Sequence, residues 1–269
     1  MVSGGEVSCV PLSNWIAMSF GDMGVGRFAL RPDIGWSREK ELAFWMLVGR
    51  LKSPDSDEIV NVFFYNPYLF LDNPVAMLTG REVFGFHKQA GWVTLPPDGA
   101  PSPVFSADAF GTADGGPDAE WKRLPLLKLD GSKTLESPEA LQDLGAVIRR
   151  VAEEMPEDAL LYPGWPALLE FERALAGGCA PLGFLKQFRD IENGALACFQ
   201  AICSAQVQMT RFLKARLLLP GNLTVYPLAS LPIAHHLGIA PGGATGIGVE
   251  LSIDMSLHPG GELWRAQPQ

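Results

Sequence analysis

The chain has 269 residues, of which 47% are hydrophobic and 19% charged, with 15 Phe and 7 Trp. That is enough apolar sequence to bury a core without disulfides or a structural metal, and it excludes disorder of the whole chain. Thirty acidic against 21 basic residues leave a formal charge of −9, the opposite of the basic footprint that a general nucleic-acid binder needs.

Cys9, Cys179, Cys198 and Cys203 are scattered with no CxxC pair, so they read as reduced, mostly buried thiols. His87, His235, His236 and His258 have no ligand spacing, and no metal site or cofactor is expected. On a strand, the adjacent His235 and His236 would diverge. No Lys or Arg precedes Arg27, and Pro, Gly or charge breaks every apolar run before it could span a membrane. The expectation is a cytoplasmic protein with neither membrane nor nucleic acid as partner.

The N-terminal third reads as strand-like segments at 15–20, 27–30, 43–51 and 58–65. The last is rich in β-branched and aromatic residues, and Ser53-Pro54-Asp55-Ser56-Asp57 before it supplies hairpin turn chemistry. Gly21-Asp22-Met23-Gly24-Val25-Gly26 lacks a phosphate-binding lysine and reads as a turn. Asn73 and Pro74 suit the N-cap and first position of a helix running to Phe84, with Gly85 as its stop. Lys88 then lies just beyond a helix end.

From about 96 to 137, Pro, Gly, Asp and Ser predominate, which predicts a long loop-rich insert. A helical segment follows at about 137–177. Its first helix opens at Ser137-Pro138 with a Leu141, Leu144, Ile148, Val151 stripe and ends at Met155-Pro156; a second spans about 166–176 and stops at Gly177-Gly178. Strands return at 184–190, 195–205, 206–219, 223–226 and 248–257. Asn193-Gly194, Pro220-Gly221-Asn222 and Pro241-Gly242-Gly243 mark the turns between them. Strands on either side of a helical middle, without regular βαβ alternation, predict one α+β domain over 1–269. Its mostly antiparallel sheet would curl toward a barrel.

Chemistry concentrates between Tyr65 and Gln89, where polar groups alternate with aromatics. A lysine flanked by Phe84, Phe86 and Trp92 can be desolvated, and a neutral amine attacks a ketone or aldehyde to form a Schiff base. Gly80-Arg81-Glu82, then Phe84-Gly85-Phe86, His87 and Lys88, resembles the signature of the acetoacetate decarboxylase family. Leu71-Asp72-Asn73-Pro74 and, further on, 185–190 with 197–201 are similar to it as well.

The resemblance implies a curved antiparallel β-barrel with flanking helices, an internal pocket, a homo-oligomer, and Lys88 as the imine-forming residue. Two departures stand out: Gln89 replaces the second lysine of the decarboxylase, and His87 replaces its usual proline. Within the motif, Glu82 is the candidate pocket acid and Arg81 the candidate carboxylate-binding or structural group. Gln89 is a candidate substrate hydrogen-bonder. Lys186 is a candidate cation near Lys88, and Arg189, an odd step away and so on the opposite strand face, is a candidate carboxylate ligand.

The activity implied is that of a Schiff-base lyase acting on a small oxo acid by decarboxylation of a 3-oxo acid. One alternative is an aldolase-dehydratase using a 2-oxo acid such as pyruvate plus an aldehyde, since family members without the second lysine look like such enzymes. The other is a non-catalytic barrel that only holds a small ligand. The carboxylates upstream of Phe63 that would line the pocket are not identifiable from the sequence.

Overall fold

The computed structural model describes residues 7–30, 33, 36–97, 100, 103–130, 133–134, 143–153, 166–240 and 244–266. Among these residues, eleven strands form one mixed sheet. They are β1 (Cys9–Pro11), β2 (Ala17–Phe28), β3 (Trp36–Leu51), β4 (Ile59–Leu71), β5 (Lys88–Thr94) and β6 (Val104–Gly111). There follow β7 (Lys122–Asp130), β8 (Lys133–Thr134), β9 (Cys179–Arg189), β10 (Ala197–Val225) and β11 (Ala244–Arg265). Helix α1 (Pro74–Thr79) runs into a π-helical turn at Gly80–Phe84, and α2 (Leu144–Glu153), α3 (Pro166–Ala176) and α4 (Ile233–His236) complete the elements.

The strand order is β1-β3-β2-β11-β10-β7-β6-β5-β4-β9, with β8 on β10, and further pairings join β3 to β4 and β9 to β10. The ladder therefore curls back on itself, as the expected barrel requires. Most pairs are antiparallel; β2 with β11, β4 with β5 and β4 with β9 are parallel.

Side-chain alternation divides the apolar residues between two cores. Along β3 and β4, Leu42, Phe44 and Phe70 join Phe20, Phe105 and Leu129 on one side. Ala43, Leu69 and Leu71 join Phe84, Phe86 and Phe184 on the other. Each such buried ring or branched chain contributes roughly 1.5–3 kcal/mol. On the outside, α3 lays Phe171 and Leu175 against Leu12, Ile59 and Val62, and α2 lays Val147 against Ala215, Leu217 and Val249. Leu144, Ile148 and Val151 of the expected stripe pack there too. Leu141, both proposed ends of that helix and the Pro241-Gly242-Gly243 turn lie outside the described residues.

The hairpin across 53–57 forms, closed by the Lys52 amide donating to the Glu58 carbonyl at 2.8 Å. Other readings need correction. Gly21–Gly26 is not a turn but the interior of β2, which pairs on both sides with a register shift between Met23 and Gly26 on the β3 side. The stretch 96–137 contributes β6 and β7 to the sheet, because Pro and Gly at its turns outweigh short strands in a composition average. The expected strands at 195–205, 206–219 and 223–226 are one strand, β10, over Ala197–Val225, in which Pro220-Gly221 coincides with a register shift instead of a turn. Cys198 is exposed, and His235 and His236 sit on α4.

Candidate active site

The approach to Lys88 is built from local rules. Asn73 caps α1, its side-chain oxygen accepting from the amides of Val75 at 2.9 Å and Ala76 at 3.1 Å, with Pro74 in the first turn. The π-helical turn closes on Gly85, at φ +95°, and the carbonyl of Gly80 accepts from the amides of both Gly85 and Phe86. A side chain at Gly85 would be strained at that φ, and its Cβ would come within 2.9 Å of the Lys186 Cα. The chain then enters β5, whose first residue, Lys88, pairs with Leu69 of β4.

Lys88 is 5% exposed. Its ammonium lies 3.6 Å from Glu39 Oε2, donates a long hydrogen bond of 3.4 Å to the Ala76 carbonyl, and stands 5.0 Å from the centre of the Phe86 ring. Glu39 is 2% exposed and Glu41 6%; both project from β3 toward the Ala43 side. Burial pushes the Glu41 carboxyl up to about 8, the Glu39 charge adds to the rise, and Lys88 opposes it. The Glu41 carboxyl therefore keeps its proton near neutrality.

These partners are held from outside. The Lys40 amide donates to Asp72 Oδ1 at 2.9 Å, and Asn73 Nδ2 donates to the Arg38 carbonyl at 2.9 Å. The backbone on either side of Glu39 is thus fastened to the start of the helix that carries Ala76. Lys88 and Glu39 line a cavity of about 110 Å³, which Phe28, Phe84 and Leu257 make largely apolar and Trp36 and Val75 border as exposed side chains. Gly80 also lines it, and there is no room there for a Cβ, which would fall 2.6 Å from Lys88 Cδ.

The other residues singled out in the sequence do not gather around the amine. Glu82 is exposed and makes no hydrogen bond or ion pair among the described residues, because the π-turn points it outward. Arg81 is also exposed, yet its Nη1 donates to the Lys88 carbonyl at 2.9 Å, which steadies the lysine's backbone. Gln89, next along β5, is half-buried and does not line the cavity, since neighbouring strand residues face opposite sides. Lys186 reaches the far side of the π-turn, donating to the Val83 carbonyl at 3.1 Å beside the Phe188 and Phe199 rings. Arg189 is exposed and closes the following turn by donating to the Gly194 carbonyl at 2.8 Å.

Tyr65 and Tyr68 are packing residues. The Tyr68 hydroxyl hydrogen-bonds His236 Nδ1, and Tyr65 meets His87 edge to face. Burial, with the nearby Arg81 charge, lowers the His87 pKa. Among the described residues there is no cluster of potential metal ligands and no helix long and apolar enough to cross a membrane.

Neither protein-family models nor curated proteins give a match to this chain. Solved structures do. The crystal structure of acetoacetate decarboxylase from Legionella pneumophila superposes over 87% of this chain and 70% of its own with a TM-score of 0.54, at 14% identity. The chain has the acetoacetate decarboxylase fold. A further acetoacetate decarboxylase structure matches over 96% of this chain and 91% of its own, at 13% identity and a TM-score of 0.45. The enduracididine biosynthesis enzyme MppR with HEPES bound matches over 92% and 85%, at 14% identity and a TM-score of 0.46. Set on that fold, the two buried glutamates of β3 are the feature that sequence reading missed. Extending the strand at 43–51 back by four residues would have placed Glu39 and Glu41 on the inward side of Ala43.

Proposed function

We propose that this protein is a Schiff-base-forming lyase that acts on a small oxo acid through Lys88. The supporting observation is the burial of the Lys88 amine against Glu39 at an apolar cavity of about 110 Å³. Among the described residues Glu39 Oε2 accepts no hydrogen bond, and at 3.6 Å it is close enough to take the proton from the Lys88 ammonium. The neutral amine adds to the substrate carbonyl, Glu39 returns that proton to the departing hydroxyl, and water leaves, giving a protonated imine whose charge the freed Glu39 carboxylate balances. For a 3-oxo acid, the electrons of the bond to the carboxylate carbon then flow to the imine nitrogen, releasing carbon dioxide and leaving an enamine. A proton returned from the glutamate pair to carbon restores the imine, and water hydrolyses it to the ketone and free Lys88.

A second reading follows from Gln89, which leaves Lys88 without a neighbouring lysine in sequence. The enamine of a 2-oxo acid would then add to an aldehyde and lose water, with the protonated carboxyl as proton source.

The test is a panel assay on purified protein. Carbon dioxide release from 3-oxo acids above the spontaneous rate supports decarboxylation, and conjugated product from pyruvate plus an aldehyde supports the second reading. Either activity should vanish in Lys88→Ala. Turnover that persists in that variant, or none from the wild type on any acid, refutes the proposal and leaves a ligand-binding barrel.

A further inference from the structure

Among the described residues, three titratable side chains line the Lys88 cavity: Lys88, Glu39 and Arg27. The first two are buried, whereas Arg27, near the end of β2, is exposed and so stands at the mouth. Its backbone is fixed from both flanks by pairing with Trp36 of β3 and Ser256 of β11. Among the described residues the guanidinium has neither hydrogen-bond partner nor ion pair. The rest of the lining is mostly apolar, with Phe28, Phe84, Met255 and Leu257.

This arrangement orients any anionic ligand. A carboxylate carried to the inner end would lose its water beside the buried carboxyl group of Glu39. A carboxylate left at the mouth meets a planar fork of donors suited to binding it with two hydrogen bonds. We propose that Arg27 anchors the substrate carboxylate, so that the ligand is an apolar-bodied oxo monocarboxylic acid that enters carbonyl first. Arg27 is then a specificity determinant at the cavity mouth, and this assignment rests on the reading of Lys88 as the carbonyl-binding group.

The experiment compares a charged with a neutral probe in the full chain. With 4-oxopentanoate and 2-pentanone, the half-saturating concentration for borohydride-trapped adduct at Lys88 is measured in wild type, Arg27→Gln and Arg27→Lys. A lost charge-assisted pair predicts a rise of at least about tenfold for 4-oxopentanoate in Arg27→Gln, a smaller rise in Arg27→Lys, and no more than about a twofold change for 2-pentanone. Equal weakening of both probes, or of neither, overturns the assignment. A second arm needs no imine: calorimetric binding of butanoate against butanamide to Lys88→Ala, with and without Arg27→Gln. A preference for butanoate that Arg27→Gln abolishes supports the anchor; no preference overturns it. Absence of any trapped adduct together with retained butanoate preference would sink the imine reading alone.

Discussion

One methyl group added at Gly80 separates the chemistry of Lys88 from the stability of the fold. An ideal Cβ there would lie 2.6 Å from Lys88 Cδ, 2.9 Å from Cε and 3.2 Å from Nζ. Apolar carbons rest about 3.5–4.0 Å apart, so the lysine chain must retreat by roughly 1 Å. It has little space to do so, since it is 5% exposed and flanked by the Phe86 ring and Glu39. Gly80 itself is helical at φ −61° and ψ −41°, where alanine gains about 1 kcal/mol over glycine, while overpacking costs about 1–3 kcal/mol. The net loss of stability in Gly80→Ala is therefore about 0–2 kcal/mol. Misplacing a reacting group by roughly 1 Å costs about 100-fold in rate, so imine formation should fall far more than stability does. Urea unfolding and the rate of borohydride-trapped adduct formation, measured on the same preparation, give both quantities. A Gly80→Ala protein that forms adduct within about threefold of the wild-type rate would refute the claim that the amine is positioned by this close approach.

Glu41 makes stability depend on pH. Its folded value of about 8 against an ordinary 4.5 means that the native state holds a proton the unfolded chain releases, so stability falls as pH rises through that window and levels off above it. The slope contributed is at most about 1.4 kcal/mol per pH unit. Glu41→Gln should lack it, so denaturant unfolding at several pH values should show the variant gaining on wild type between pH 5 and 8; parallel curves would contradict the burial of an ionisable group there. Glu82→Gln and Lys186→Met should leave the trapping rate within about twofold of wild type, because neither side chain lines the cavity. A tenfold loss in either would place it back in the site.

The parts legible in the sequence are those set by local chemistry. Asn73, Pro74 and Gly85 bracket the helical approach to Lys88 as their backbone preferences dictate, and the aromatic setting of that lysine follows from Phe84 and Phe86, four and two residues before it. The glutamate pair was obscured because Arg38-Glu39-Lys40-Glu41 has the composition of a solvated run. Only the strand's alternation turns Glu39 and Glu41 inward, while Arg38 stays in solvent with 65% of its side chain exposed. Lys186 has the face that its strand parity implies, but whether that face meets Lys88 or the back of the π-turn depends on packing between distant segments. The register of β9 against β10 is likewise a long-range matter, set by partners across the sheet and not by residues nearby in the chain. Arg27 escaped notice for a related reason, since its place at a cavity mouth follows from β2 pairing with both β3 and the distant β11.

The most direct measurement is peptide mapping after borohydride reduction of the protein with a series of 2-oxo and 3-oxo acids. The account predicts that the mass of one reduced acid, or of its decarboxylated ketone, is added at Lys88 and at no other lysine, and that the addition disappears in Lys88→Ala. A Lys88 peptide that stays unmodified with every acid, or labelling spread evenly over the surface lysines, would contradict it.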